Sequence, residues 1–272
     1  MVKLPSIKLP SRTLNLSNFP LRNQRLNVSL PFILAKNLSS YESYQRQPLY
    51  DGHIPTSTLE KSALSVKAAF TALFNPLRGD MVAVLGETTG SMILPRIRDK
   101  MLADPVGRRI LREKPLLNSK TLDLPKLRTL PVGTFGREYV KWLDEQQVTP
   151  DTRAPVHYVD DPELAYVIRR YRETHDFYHA LTGFGISVED ELALKWFEFA
   201  QTGLPMTLLG SVFGPLRLPS VERKHLFEVY VPWAIRCGSN AKFLMNVMYE
   251  EQFERPLDEL RKELGIYLPP QL

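Results

Sequence analysis

Two histidines and two carboxylates in one short stretch constrain this chain more than any other feature. His175, Asp176 and His179 lie close together, and Glu191 follows twelve residues after the second histidine. On an α-helix, residues four apart share one face and lie about 6 Å apart along the axis. Asp176 can reach the same point from the flank. Imidazole and carboxylate groups are the usual protein ligands of zinc and similar divalent ions.

A helix-turn-helix hairpin is predicted to return Glu191 to the histidines. Gly183 interrupts the first helix and suits the left-handed conformation of a helix C-cap. Ser187 is predicted to cap the second helix, with Asp190 as its capping-box partner. His179 lies four residues before the turn, and Glu191 lies four residues after the cap. Both therefore stand about 6 Å from the bend, at the same height.

Each of these residues also has an ordinary structural explanation. Glu191 precedes Lys195 by one helical turn and can form a surface ion pair with it. His175 continues an apolar helical stripe and can be a hydrogen-bonded core histidine. Burying two carboxylates and two imidazoles together without a cation would nevertheless cost much hydration free energy. We therefore interpret His175, Asp176, His179 and Glu191 together as ligands of a divalent metal ion.

The positive charge of the chain is concentrated at its N-terminus. Residues 1–40 contain six basic and no acidic side chains, which leaves 29 of the 35 basic residues against 30 acidic ones in residues 41–272. A basic, acid-free, leucine-rich and serine-containing segment predicts a mitochondrial transit peptide. Its four prolines exclude one long amphipathic helix, and a disordered tail is the alternative. The nearly neutral remainder gives no support for nucleic-acid binding.

The rest of the chain is predicted to be one all-α, multi-helical domain over residues 41–272. Its single cysteine excludes an internal disulfide framework, and no apolar run reaches the 18 residues of a membrane-spanning helix. Apolar residues recur with a helical period, and no alternating run requires a strand. Helices are predicted to start at Ser57 or Thr58 and to span 80–87, 91–103, 105–113, 122–130, 134–147, 161–182, 187–203, 241–253 and 256–264. A further helix is predicted to be capped by Ser220 and to be bent or ended at Pro232.

Two apolar stretches within this pattern bear on function. The first predicted helix carries a stripe of apolar residues: Leu59, Ala63, Val66, Phe70, Leu73 and Phe74. Residues 205–216 are the most apolar and least charged part of the chain. This segment is interpreted first as a buried core helix. The alternative is one wall of a pocket for an apolar ligand, where glycines allow close approach to the backbone.

The motifs resemble those of a known family. The pattern His-Asp-x-x-His, eleven residues, then Glu is similar to that of the coenzyme Q (ubiquinone) biosynthesis protein 4 family. The flanking residues 169–174 and 181–183 resemble that family, as do residues 79–83 and 85–90. The resemblance runs from about Tyr50 to the C-terminus, and all four motif positions are filled.

The resemblance implies a function that residue patterns alone do not give. Members of the family act in ubiquinone biosynthesis, lie peripherally on the matrix face of the mitochondrial inner membrane and join a multi-protein biosynthetic complex. The family is associated with removal of the C1 carboxyl group from a 4-hydroxy-3-methoxy-5-polyprenylbenzoate. The resemblance also makes Asp176 a metal ligand, and zinc is the first choice of ion. We therefore expect a metal-dependent carbon–carbon lyase, a decarboxylase.

Other functions remain compatible with the same residues. Two imidazoles and two carboxylates can close a structural tetrahedral zinc site, or form a catalytic site if Asp176 yields its place to substrate. Metalloproteases of the His-Glu-x-x-His type use the glutamate as general base, and the shorter Asp176 makes peptide hydrolysis a poor fit. The main alternative is a non-catalytic scaffold that presents lipid intermediates to partner enzymes. A metal-dependent hydrolase of a small phosphorylated lipid is a further alternative.

Overall fold

The structure, a computed structural model, describes residues 47–75 and 78–270 and is all-α, as predicted. The proposed transit peptide, residues 1–40, lies outside the described residues, as does Pro76. The α-helices are α1 Thr58–Phe74, α2 Gly79–Thr89, α3 Leu94–Ala103, α4 Pro105–Glu113, α5 Leu124–Thr129, α6 Phe135–Gln146, α7 Pro162–Thr182, α8 Val188–Thr202, α9 Pro205–Phe213, α10 Ser220–His225, α11 Val231–Asn240 and α12 Leu257–Leu264. Within the described residues the only β-pairing is an isolated bridge between Thr134 and Pro256.

Side chains that accept backbone hydrogen bonds begin several of these helices where the sequence predicts. Ser57 forms a complete capping box with Glu60 at the start of α1. Asp104 and Asp161 each cap a helix whose first residue is proline, where the missing N–H costs nothing. The helix ends are equally well determined, because α7, α8 and α12 each stop at a glycine in the left-handed region, Gly183, Gly203 and Gly265.

The prediction of a helix over residues 241–253 is wrong. The segment instead contains two 3₁₀ turns, Leu244–Asn246 and Tyr249–Glu251, with extended backbone at Val247 between them. Its apolar side chains are nevertheless buried (Leu244, Met245, Met248 and Tyr249) or half-buried, as an irregular segment that crosses a core requires. The amide of Leu244 donates to the side chain of Gln201 instead of to a helical carbonyl. The apolar residues of this segment, which would occupy more than one face of a helix, therefore indicate that the segment is buried and not that it is helical.

Two other predicted helices have different boundaries. The helix predicted from residue 91 begins at Leu94, after a 3₁₀ turn over Gly90–Met92. Ser220 is the first residue of α10, not its cap. A π-helical segment, Leu226–Tyr230, joins α10 to α11. The irregularity predicted near Pro232 is therefore a π-helical segment that ends at Tyr230, two residues before the proline.

Helix α7 lies at the centre of the fold. From Ala165 to Thr182 every residue except Arg169 is buried, and α3, α4 and α6 pack against it. One apolar core contains Phe135 and Tyr249, whose rings lie 5.4 and 4.8 Å from that of Phe177 on α7. A second core surrounds the N-terminal half of α7. This burial gives the site residues on α7 a rigid support.

The apolar stripe of α1 faces outward, contrary to the usual orientation of such a stripe toward a core. Phe70 is 60% exposed and Phe74 is 78% exposed, and Leu59 and Val66 are exposed as well. Ala68 is the only buried residue of this helix, and α1 packs against α2. No helix among the described residues is long and apolar enough to cross a membrane.

An ion pair inside the core ties α7 to the irregular C-terminal segment. Arg170 is fully buried, and its guanidinium donates to both carboxylate oxygens of Glu250 at 2.5 and 3.0 Å and to the carbonyl of Val247 at 3.2 Å. The carboxylate and the carbonyl that stabilise the buried charge of Arg170 therefore both come from residues 247–250.

Replacing Glu250 by glutamine should leave the Arg170 charge buried without its counterion. We expect Glu250→Gln to lower the free energy of unfolding by about 3 kcal/mol or more, as measured by urea denaturation. The control is Glu254→Gln, which removes an exposed pair with Lys126 and should cost less than about 1 kcal/mol. Equal effects of the two substitutions would contradict a stabilising role for the buried pair.

Candidate metal centre

The α7–α8 hairpin brings three of the four predicted ligands together. His175 and His179 project from α7 and Glu191 from the first turns of α8, and one ligand atom of each lies within 4.8 Å of the others. Both imidazoles are buried and Glu191 is partly exposed. Gly183, at φ +80°, ends α7, and the Ser187 hydroxyl accepts from the amide of Asp190.

The turn itself differs from the predicted capping box in one contact. The carboxylate of Asp190 accepts a hydrogen bond from the amide of Gly185 at 3.2 Å, whereas a capping box would direct it to the amide of Ser187. The acidic side chain therefore closes the turn instead of the helix end. The hairpin forms either way, because the Ser187 cap and the Gly183 stop are both present.

Hydrogen bonds to the two imidazoles determine which ring nitrogens face the site. His175 Nδ1 lies 2.6 Å from a carboxylate oxygen of Glu198, and His179 Nδ1 lies 3.3 Å from the carbonyl oxygen of Phe184. Both partners can only accept, so each Nδ1 must carry the hydrogen. In the neutral rings both Nε2 atoms are therefore bare acceptors.

These bare nitrogens converge with a carboxylate. The two Nε2 atoms are 3.1 Å apart, and the Glu191 oxygens lie 3.3 Å from Nε2 of His179 and 3.7 Å from Nε2 of His175. Three acceptors that face one another repel unless a positive charge lies between them. Ligand atoms at tetrahedral zinc are about 3.3 Å apart when each bond is about 2.05 Å, so the donor set and its spacing fit such an ion.

The pKa values of the cluster show how strongly its charges interact. Burial lowers the pKa of His179. Burial and Lys195 also oppose protonation of His175, yet the carboxylates of Glu198 and Glu191 outweigh them and raise its pKa. Burial would raise the pKa of Glu191, but the neighbouring imidazoles of His175 and His179, which donate to it when protonated, hold it well below its ordinary value. The centre therefore retains an ionised carboxylate beside two imidazoles.

Asp176 does not join the group of converging ligand atoms. Its buried carboxylate forms an ion pair with Arg153, which comes from the segment before α7. Asp176 lies on the flank of the face that carries the two histidines, and the guanidinium of Arg153 holds its carboxylate there. Its predicted role as a ligand remains a prediction.

Glu198 and Lys195 are functional candidates that the sequence reasoning missed. Glu198 is fully buried, and its second carboxylate oxygen accepts from Lys195 Nζ at 2.7 Å. Burial alone would raise the pKa of Glu198, but Lys195 and His175 lower it to about 2. Lys195 thus donates to Glu198, whereas the ordinary explanation paired it with Glu191. A position seven residues after Glu191 lies on nearly the same helical face, and this spacing could have identified Glu198.

The cluster lies in a cavity of about 1040 Å³. Its polar part contains the three converging residues together with Arg153, Asp176 and Lys195. Its larger part is apolar and is lined by α1, α2, the turn between α7 and α8, α8 and α9: Phe70, Leu73, Leu85, Ile186, Val188, Leu192, Met206, Leu209 and Phe213. Residues 205–216 contribute to this wall, as the alternative interpretation of that stretch proposed.

Comparisons with known sequences identify a family. Residues 50–270 match the family model described as coenzyme Q (ubiquinone) biosynthesis protein Coq4. A relative from Laccaria bicolor, named ubiquinone biosynthesis protein COQ4, mitochondrial, is 50% identical over 90% of this chain and 88% of its own length. The rat relative, named as the mitochondrial COQ4 homolog, is 50% identical over 92% of this chain and 96% of its own length.

A comparison of structures agrees with the fold. A crystal structure titled as a putative ubiquinone biosynthesis protein from Nostoc punctiforme superposes with a TM-score of 0.62, and covers 75% of this chain and 97% of that one. At 22% identity this likeness shows the fold alone. The family match and the relatives carry the conclusion that this chain belongs to the coenzyme Q (ubiquinone) biosynthesis protein Coq4 family.

Proposed function

We propose that the chain acts in ubiquinone biosynthesis as a metal-dependent lyase that removes the C1 carboxyl group of a 4-hydroxy-3-methoxy-5-polyprenylbenzoate. Its family is one of ubiquinone biosynthesis. The observation that carries the finer proposal is a three-residue donor cluster of His175, His179 and Glu191 at the polar end of an otherwise apolar cavity. Zinc is the proposed ion, because two imidazoles and one carboxylate are among its preferred ligands.

The number of converging ligands favours a catalytic over a structural ion. Structural zinc sites are closed by four protein ligands, whereas catalytic sites have three and keep one position for water or substrate. Here the fourth predicted ligand, Asp176, is held by Arg153. When bound, such an ion supplies a Lewis acid that polarises a substrate oxygen.

The cavity suits a substrate with a polar ring and a long apolar tail. The ring would lie at the polar end, and the polyprenyl tail along the apolar walls from α1, α8 and α9. Lys195 and Arg153 place two cations at the polar end and can bind the benzoate carboxylate. Walls of this kind also exclude bulk water, which strengthens each of these charge interactions.

The reaction requires the ring to accept an electron pair. Loss of CO2 leaves that pair on C1, where a proton replaces the carboxyl group, and replacement by hydroxyl would need an oxidant in addition. Within the cavity, Asp176 holds the guanidinium of Arg153, and Glu198 holds the ammonium of Lys195. Both cations are thereby fixed in position before substrate arrives.

Cellular location and partners are part of the same proposal. The curated relatives named above are mitochondrial by name, and the basic residues 1–40 are proposed as a transit peptide ahead of a domain over residues 41–272. We propose a peripheral position on the matrix face of the inner membrane and membership of a complex of ubiquinone-biosynthesis enzymes. An extensive apolar cavity in a protein that handles a polyprenyl substrate supports a position beside lipid.

The proposal predicts that purified protein contains metal and releases CO2 from a short-tailed prenyl-hydroxybenzoate. His179→Ala removes one of three ligands and should abolish both stoichiometric metal and turnover. Asp176→Asn should keep most of the metal but lower turnover by about 100-fold, since it frees Arg153 from its fixed position. Metal content is measured by mass spectrometry of the protein, and circular dichroism checks folding of each variant.

Two outcomes would decide against this proposal. Bound metal with no CO2 from wild type, in air and without oxygen, would favour the scaffold that presents lipid to partner enzymes. Protein purified under metal-sparing conditions that binds no added zinc, manganese or iron would remove the basis for a metal centre altogether.

Glu198 is predicted to strengthen metal binding through His175. Glu198→Gln removes the charge that fixes the Nδ1–H form of His175, and metal affinity should fall by about 10- to 100-fold, as measured by competition with a chelator. The control is Glu189→Gln on the same helix, which changes an equally short contact, 2.6 Å, to His225. A comparable loss of affinity in both variants would show a general effect on α8, not a specific one.

A further inference from the structure

The mouth of the cavity is bordered by exposed apolar side chains. Phe70, Ile186, Val188 and Phe213 line the cavity and are each between 43% and 60% exposed. Residues that line a cavity and also face solvent lie where it opens. Further exposed apolar residues lie within four positions of these residues in the sequence: Val66, Phe74, Val212 and Leu216. We call these eight residues the mouth surface.

Contacts between the elements join the α1 part of the mouth surface to the part formed by α9 and the segment after it. The ring of Phe74 stacks on that of Phe70, with centroids 6.5 Å apart. The guanidinium of Arg217, just after Leu216, donates to the carbonyl of Ala72 on α1 at 3.3 Å. That bond joins the α1 side of the mouth to the segment that follows α9.

Positive charge borders the same region. Lys67 on α1 and Arg217 are exposed, and Arg217 also lines the cavity. The acidic residues beside the mouth are engaged by neighbours: Asp80 accepts two hydrogen bonds from Arg78 at 2.8 and 2.7 Å, Glu189 lies 2.6 Å from Nδ1 of His225, and Asp190 accepts from the amide of Gly185. Exposed aromatic and aliphatic side chains beside lysine and arginine are typical of surfaces that lie in the headgroup region of anionic bilayers.

We propose that the mouth surface docks on an anionic phospholipid bilayer, so that the cavity opens directly into the lipid. Apolar side chains at the opening then enter the acyl boundary while Lys67 and Arg217 contact phosphate. The inference deepens the proposed function, since a polyprenyl chain could pass from bilayer to cavity without crossing water. A second protein copy or a partner protein would cover the opening, whereas a bilayer leaves it in contact with its substrate.

The first test measures binding of the full chain to vesicles of phosphatidylcholine, with and without phosphatidylglycerol, by co-flotation. Phe74→Ser with Leu216→Ser should lower the partition coefficient roughly ten-fold, and both residues lie outside the cavity lining. Lys67→Gln should lower it about five-fold, on the anionic vesicles only. The control, Val132→Ser with Leu102→Ser, removes two other exposed apolar side chains and should leave binding unchanged.

A second test locates the contact without relying on a loss of binding. The only cysteine, Cys237, is buried, so an environment-sensitive dye can be attached to a cysteine introduced at one surface position. The emission of dye on Phe74→Cys should shift to the blue on anionic vesicles, and that of dye on Val132→Cys should not. Equal shifts at both positions, or none at Phe74, would overturn the proposal.

Sedimentation distinguishes the bilayer from protein partners. If wild type self-associates without lipid and Phe74→Ser with Leu216→Ser abolishes that association, the surface is a dimer interface and the proposal fails. Vesicle binding requires neither metal nor turnover, so it can hold when no CO2 release is found. Conversely, turnover of a short-tailed substrate without vesicle binding would overturn this inference and leave the proposed function standing.

Discussion

Two Nδ1–H hydrogen bonds determine what the centre of this protein can do. Glu198 holds His175, and the Phe184 carbonyl holds His179, so both bare nitrogens face Glu191. A buried group of three acceptors requires a positive charge. The fold holds the three acceptors together with a rigid central helix and a closed turn at Gly183. It also provides a cavity that can bring an apolar ligand to the cluster.

The sequence predicted the parts of this arrangement that depend on local geometry. His175 and His179 are one turn apart, and the Gly183 stop and Ser187 cap return Glu191 to them, which helical geometry alone can anticipate. The contact of Asp176 could not be predicted in this way, because its partner Arg153 lies 23 residues away in a loop. No local sequence pattern predicts the path of that loop. The spacing of Glu198 from Glu191 places both on nearly the same helical face, but spacing alone does not predict the role of Glu198. That role depends on Lys195 donating to Glu198 and not to Glu191.

The errors in the fold have a common physical origin. The apolar residues over 241–253 predict a helix, but they lie buried or half-buried in an irregular segment that helps to complete the core around Phe177. Conversely, the stripe of α1 is truly helical yet faces solvent. Periodicity reports which side chains share a face, and only tertiary packing decides what covers that face. At α1 the difference is informative, because the uncovered face lies at the opening of the cavity.

The most direct measurement is an anomalous difference map from crystals of the metal-loaded protein, recorded at the absorption edge of the bound ion. We expect one peak about 2.0 to 2.2 Å from Nε2 of His175, Nε2 of His179 and a carboxylate oxygen of Glu191, with Asp176 still paired to Arg153. A peak elsewhere, or none in protein that contains stoichiometric metal, would contradict the proposed centre. A peak bound also by Asp176 would show a closed four-ligand site and contradict the catalytic interpretation.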